Sequence, residues 1–151
     1  MSRPSAYVTV VRTLLGLVFM AGSLVHLRFA LTDTSFYGAF GDTAWPPLDT
    51  VWARFVIPNI EVLALLTAVF ELVVGIAAWL PGGANRLAAM AMTLFFAFLV
   101  ILGFAFPTDS WAEDLLVNRL ASVVMIALVV PWLRHPHRSG VPAALVALAR
   151  R

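Results

Sequence analysis

Ionisable side chains interrupt three otherwise apolar runs: Arg12 and His26 in the first, Glu61 and Glu71 in another, Arg119 beside Asn118 in a third. Such residues in apolar helices either line a ligand, ion or proton site or hold helices in register as ion pairs. At 100° per residue, Glu61, Ala64, Ala68, Glu71, Gly75 and Ala78 share a sector of roughly 100°. Leu63, Leu66, Phe70 and Val74 occupy another face. Carboxylates avoid lipid and small residues let helix backbones approach, so this stripe is expected to face the interior. Arg12, Gly16, Phe19, Ser23 and His26 form a matching face, and Asn118 and Ser122 lie together near Arg119. Depth along the helices predicts an inner Arg12–Glu71 pair and an outer polar layer around Glu61 with Arg28, Arg119 and His26. Both a functional polar site and a purely structural pair fit this pattern.

Other chemistry finds no residues. Cysteine is absent, which removes thiol relays, disulfides and thiolate metal sites. His26 is the one histidine inside an apolar run, and a bis-histidine haem needs two. His135 and His137 flank a proline in a basic tail, and no phosphate loop, Ser/His/Asp arrangement or zinc helix motif occurs. Asp109, Glu113 and Asp114 read as an acidic loop at a helix start. No catalytic residue, metal site or resident cofactor is therefore expected. A quinone, which needs few polar contacts in an apolar cleft, is the one cofactor left open.

The elements that carry these residues follow from composition. Hydrophobic residues make up 62% of the 151 and charged residues 12%, about half the charge of a soluble domain. The excess apolar surface has to face lipid. The expectation is an all-α integral membrane protein, a four-helix transmembrane bundle with spans near 7–31, 55–80, 87–106 and 115–133, each about the 20 residues that cross a bilayer. The first span lacks a small-residue cleavage site and is expected to be retained. Residues 1–134 form the membrane domain, and 135–151 a basic tail that either frays or lies on the membrane as an interfacial helix. Pro81-Gly82-Gly83-Ala84-Asn85 reads as a tight turn. The 32–54 connection carries Phe36, Tyr37, Trp45 and Trp52, aromatics suited to the headgroup level, and Pro46-Pro47 could start a short interfacial helix through Trp52. All ten basic residues are arginine. Arg3, Arg86, Arg134, Arg138, Arg150 and Arg151 fall on one side of a four-span chain, and Asp33, Asp42, Asp49, Asp109, Glu113 and Asp114 on the other. Positive-inside bias then places both termini in the cytoplasm and the protein in the cytoplasmic membrane. Dispersed arginines give no nucleic-acid footprint.

The run Phe70-Glu71-Leu72-Val73-Val74-Gly75, followed by Trp79-Leu80-Pro81-Gly82-Gly83-Ala84-Asn85-Arg86-Leu87, resembles the central signature of DoxX-like membrane proteins. Arg12-Thr13-Leu14-Leu15-Gly16 with Phe19 and Gly22 resembles that family's first-helix pattern. The likeness extends over roughly Arg12–Leu133, with His26 standing where many members carry a lysine. It implies a four-helix fold and an association with membrane redox or oxidative-stress complexes. The leading expectation is an accessory or anchor subunit of such a complex, without its own catalytic centre, with the bilayer and a membrane or peripheral protein, or further copies of itself, as partners. A quinone- or lipid-binding redox subunit with a polar pocket around Arg12, His26 and Glu71 is the alternative. A small oligomeric transporter ranks third.

Overall fold

The computed structural model describes residues 5–134 and 140–149; Arg3, His135, His137, Arg138, Arg150 and Arg151 lie outside the described residues. Among the described residues six helices run in sequence, four of them long and apolar enough to cross a membrane. Helix α1 spans Ala6–Thr32. Its N-cap Ser5 accepts from the Val8 amide, meeting one of the donors that a helix start leaves open. Beyond it Asp33 accepts the Ser35 amide at 2.8 Å, a bond that holds this exposed carboxyl below its ordinary range. A 3₁₀ turn, Ser35–Gly38, leads into the short α2, Ala39–Thr43. The long helices α3, α4 and α5 are Leu48–Trp79, Gly83–Leu102 and Trp111–Arg134. Helix α6, Val141–Ala149, ends the described chain and buries Val141 and Ala144.

Helix ends differ from the hydropathy reading where backbone chemistry outranks composition. Helix α3 starts at Leu48 instead of 55. The short helix expected after Pro46-Pro47 is its first turns, continuous with the span. Pro58 offers no amide to the turn before it, and the backbone absorbs this with a wide π turn at Trp52–Val56 and a 3₁₀ turn at Ile57–Asn59. At 32 residues and 1.5 Å per residue, α3 is about 48 Å long and outreaches a hydrocarbon core of about 30 Å. Helix α4 occupies 83–102, four residues earlier than the expected 87–106. Gly82 at φ 71° and Gly103 at φ 84° bracket it, a left-handed conformation that glycine adopts without a Cβ penalty. Phe104, Ala105 and Phe106 are apolar loop.

The long helices alternate in direction. One end of the bundle, the terminal end, holds the start of α1 and the finish of α5; the other is the loop end. Helix α1 packs chiefly on α3, and α4 on both α3 and α5. Helices α1 and α3 meet glycine on glycine. A Cβ added to Gly75 would lie 2.8 Å from the Gly16 carbonyl oxygen, and one added to Gly16 would strike the Trp79 ring. Close approach of this kind gives helix pairs in lipid their packing energy, because apolar burial from water contributes nothing between membrane helices.

The closed core lies in the terminal half. Val8, Val11, Leu15 and Phe19 of α1 meet Val74 and Ala78, then Ala88, Ala89, Met92 and Phe96, then Val129 and Trp132. The opposite faces of the same helices, with Leu24, Val62, Leu94 and Leu116 exposed, form the surface a bilayer would cover. A smaller cluster of Ala44, Trp52 and Leu102 closes the loop end.

The glycine contact supplies a direct test. Gly75→Ala is expected to cost ~1–3 kcal/mol, the usual range for overpacking, because the obstructing atom is backbone. Gly83→Ala, where a Cβ meets nothing within 4 Å, is expected to leave stability unchanged. Detergent-denaturation curves of the two variants check this pair.

Candidate functional site

The predicted interior stripe holds at five of its six positions. Ala64, Ala68, Glu71, Gly75 and Ala78 are buried, while Glu61 is exposed. The outer layer expected around Glu61 therefore does not form. Glu61 shares the regular α-helical stretch Ile60–Trp79 with the other five, so depth and not angle separates it: it sits about 27 Å from Trp79 along the helix, at the outer edge of a bilayer core where a carboxylate can meet water. Arg28 is likewise exposed. Arg12, Gly16, Phe19 and Ser23 are buried on α1, with His26 half-buried.

The ion pair expected between Arg12 and Glu71 is also replaced. Arg12, fully buried, donates from Nε to the Ala78 carbonyl and from Nη2 to the Leu80 carbonyl, each at 2.9 Å. Its guanidinium lies 5.9 Å from the Trp132 ring centroid. The last carbonyls of a helix lack intrahelical partners, and in an apolar layer no water replaces them. A guanidinium with five donors fits that need. Helix α3 therefore draws Arg12 to its end, about two turns from Glu71.

Glu71 faces α1 at Gly22 instead. A Cβ there would lie 2.7 Å from Oε2 and 3.0 Å from Oε1, so the missing side chain is the carboxyl's seat. His26 Nε2 stands 3.8 Å from Glu71 Oε1, and its Nδ1 is 2.6 Å from the Tyr37 hydroxyl. The imidazole stacks on the Tyr37 ring, centroids 5.7 Å apart. Trp52 fixes the loop that carries this tyrosine by donating from Nε1 to the Tyr37 carbonyl at 2.8 Å. Burial first, and the nearby Glu71 carboxylate second, push the Tyr37 phenol above its ordinary range, so it keeps its proton. Tyr37, His26 and Glu71 thus form a polar row from the loop end into the bundle. The far oxygen of Glu71, Oε2, is buried with no hydrogen-bond partner.

That row lines a cavity of about 820 Å³. Its floor is Phe19 and Phe96, set edge-to-face at 5.7 Å, and its roof includes Phe40, Trp52 and Phe104. Eight of the chain's eleven phenylalanines line it. It opens through the side of the bundle, where the lining residues Leu66 and Phe70 of α3 and Phe98 of α4 are themselves exposed. His26 and Glu71 are the groups in its lining that ordinarily titrate near or below neutrality, and among the described residues no arginine lines it.

Asn118 and Arg119 belong to a separate structure at the loop end. The wide π turn Leu115–Arg119 buries these consecutive residues together. Asn118 Oδ1 accepts from the amides of Phe104 and Phe106, clamping the two neighbours of Ala105, which has φ 64°. Arg119 donates to Asp114 at 2.6 Å and to the carbonyls of Val100, Ile101 and Thr43. Its guanidinium also lies 4.4 Å from the Trp45 ring. Ser122 is buried one turn on. The residues that sequence reasoning placed in one polar network therefore fall into three groups.

Tyr37, Trp52 and Asp114 were not among the sequence candidates. Tyr37 and Trp52 read as headgroup aromatics, and Asp114 as one acid in an acidic loop. The length of the 32–54 connection was the available signal, since long ordered connections commonly carry function.

No protein-family model, curated protein or solved structure matches this chain.

The Arg119 cluster is expected to be structural. Asp114→Ala leaves a buried guanidinium without its carboxylate, and such losses cost ~3–5 kcal/mol. A lowered melting temperature in detergent checks this, and an unchanged one counts against it.

Proposed function

We propose that this chain is a small integral membrane protein that holds a lipophilic molecule with a small uncharged polar head, of the quinone class, in the cavity beside Glu71. The observation that carries the reading is one aromatic cavity, open sideways, with its polar groups gathered at one edge. Ligand pockets generally run from about 300 to 1,000 Å³ with a few placed polar groups in an apolar lining, and this one falls within that range. Depth favours the same class. Glu71 lies eight residues from Trp79, about 12 Å into a core of about 30 Å. A quinone ring travels at such depth, whereas a phospholipid head stays at the interface. A phosphate would also need a cation, and the lining offers a carboxyl instead.

The broader setting follows from the resemblance to DoxX-like proteins. In it the protein serves as an accessory or anchor subunit of a redox-associated complex in the cytoplasmic membrane, and the electron carriers belong to its partners. Arginine placement supports an orientation with both ends inside. Because the chain has no cysteine, single substitutions report orientation cleanly. Ser35→Cys is expected to react with an impermeant maleimide on intact cells, and Gly83→Cys only after the membrane is opened. The reverse pattern overturns the orientation.

Occupancy tests the binding reading. Thr67 lines the cavity and its hydroxyl bonds only within its own helix, to the Leu63 carbonyl at 2.9 Å. Thr67→Phe therefore fills space without orphaning a partner. Mass spectrometry of the gently extracted protein is expected to find a co-purifying ring lipophile, reduced about tenfold or more in this variant, equivalent to ~1.4 kcal/mol of affinity. Equal amounts in both proteins, or none in either, would sink the reading.

A further inference from the structure

We infer that His26 anchors the head of the bound lipophile, its Nε2–H donating to an oxygen of the ring. Tyr37 is the positioning residue that keeps the proton on that nitrogen. This rests on the binding reading above and names the atom that makes the polar contact.

The two nitrogens of the imidazole carry it. Tyr37 is buried, and its hydroxyl meets His26 Nδ1 at 2.6 Å, its one hydrogen bond among the described residues. If Nδ1 held the proton of a neutral ring, the phenol proton would be buried without an acceptor, a costly state for a donor. The phenol therefore donates to a neutral ring, whose one proton then sits on Nε2; a protonated ring carries a proton there as well. Nε2 has no bond of its own. Glu71 Oε1 is 3.8 Å away, beyond hydrogen-bond reach. Unlike the buried orphans Glu71 Oε2, Trp79 Nε1 and Ser122 Oγ, it keeps accessible surface, the His26 side chain being 24% exposed. The stacked Tyr37 ring fixes the imidazole plane. With Nδ1 turned to Tyr37 at the loop end, Nε2 is directed along the cavity's polar edge toward Glu71. Other lining donors are spent, Thr67 on the Leu63 carbonyl and Trp52 on the Tyr37 carbonyl. An unspent, pre-oriented N–H in an apolar lining suits a neutral oxygen acceptor, which a ring carbonyl or ring hydroxyl supplies.

The probe is a short-tailed benzoquinone with ¹³C at its ring carbonyls, bound to the full-length protein in nanodiscs. With the histidines labelled by ¹⁵N, solid-state dipolar coupling is expected to place a carbonyl carbon within about 4 Å of a histidine nitrogen, the span of one N–H···O=C bond. The infrared band of that carbonyl is expected to fall below its position in lipid alone. His26→Leu is expected to weaken binding about three- to tenfold, the worth of one such bond, and to return the band to its lipid position. Glutamine offers an oxygen to Tyr37 and an amide to the cavity. His26→Gln is therefore expected to recover the affinity and the lowered band while the histidine coupling disappears. This variant, with the coupling in the unaltered protein, carries the test if His26→Leu fails to fold. A probe that binds without the coupling, or a lowered band that survives His26→Leu, overturns the inference and leaves the cavity reading standing. No binding of the probe to the unaltered protein overturns both.

Discussion

Helix ends set the terms for the polar chemistry of this protein. Each long helix finishes with carbonyls that have no partner of their own, and inside an apolar layer water does not supply one. The bundle answers twice in the same way. Arg12 of α1 reaches the end of α3 at Ala78 and Leu80, and Arg119 of α5 reaches the end of α4 at Val100 and Ile101. In both cases the arginine comes from an antiparallel neighbour, which brings an early turn of one helix beside the last turn of another. Carbonyl ends thereby take up guanidinium donors that the carboxylates might otherwise have used. Asp114 shares Arg119 with the helix end, whereas Glu71 receives no arginine at its oxygens.

The same pair of helices that positions Arg12 also creates the seat for Glu71. Gly16 and Gly75 bring the backbones of α1 and α3 close in the terminal half, and Gly22 leaves space for a carboxyl above that contact. Phe19 and Phe96 mark the boundary between the two regimes. Below them the four helices close on Val74, Met92, Val129 and Trp132; above them the interior is the cavity. Rigid packing and open space thus occupy successive layers of one bundle, so a ligand can be accommodated without loosening the contacts that hold the helices together.

Much of the architecture was legible because it rests on periodicity and composition. The four long apolar helices, the inward stripe of Ala64, Ala68, Gly75 and Ala78, and the α1 face of Arg12, Gly16 and Phe19 all follow from 3.6 residues per turn. Pairing was less legible. Depth alone put Arg12 within reach of Glu71, and only the geometry of Ala78 and Leu80 shows a better acceptor for the guanidinium. Glu61 was misplaced because angular periodicity gives the face of a helix but not how far along it the neighbouring helices cover that face; it lies in the first turn of the regular stretch Ile60–Trp79 and is exposed. Tyr37 was hidden for a different reason. Its role depends on how a 3₁₀ turn folds back over α1, and that conformation leaves no periodic trace in the sequence.

The arrangement bears on whether the buried charges serve structure or function. A structural pair should show both partners satisfied, as Arg119 and Asp114 are. Glu71 shows one oxygen 3.8 Å from an imidazole and the other with no partner. Leaving a buried polar atom unmet costs roughly 1–3 kcal/mol, and more where the group is charged. An apolar side chain at this position would avoid that cost, and the α1–α3 contact already has its glycines and its Arg12 bonds to fix the register. Nothing in the packing of the two helices requires a carboxyl there. The Trp79 indole nitrogen and the Ser122 hydroxyl are also buried without a hydrogen-bond partner, but of these three groups Glu71 alone belongs to the lining of the aromatic cavity, where a ligand is the partner expected.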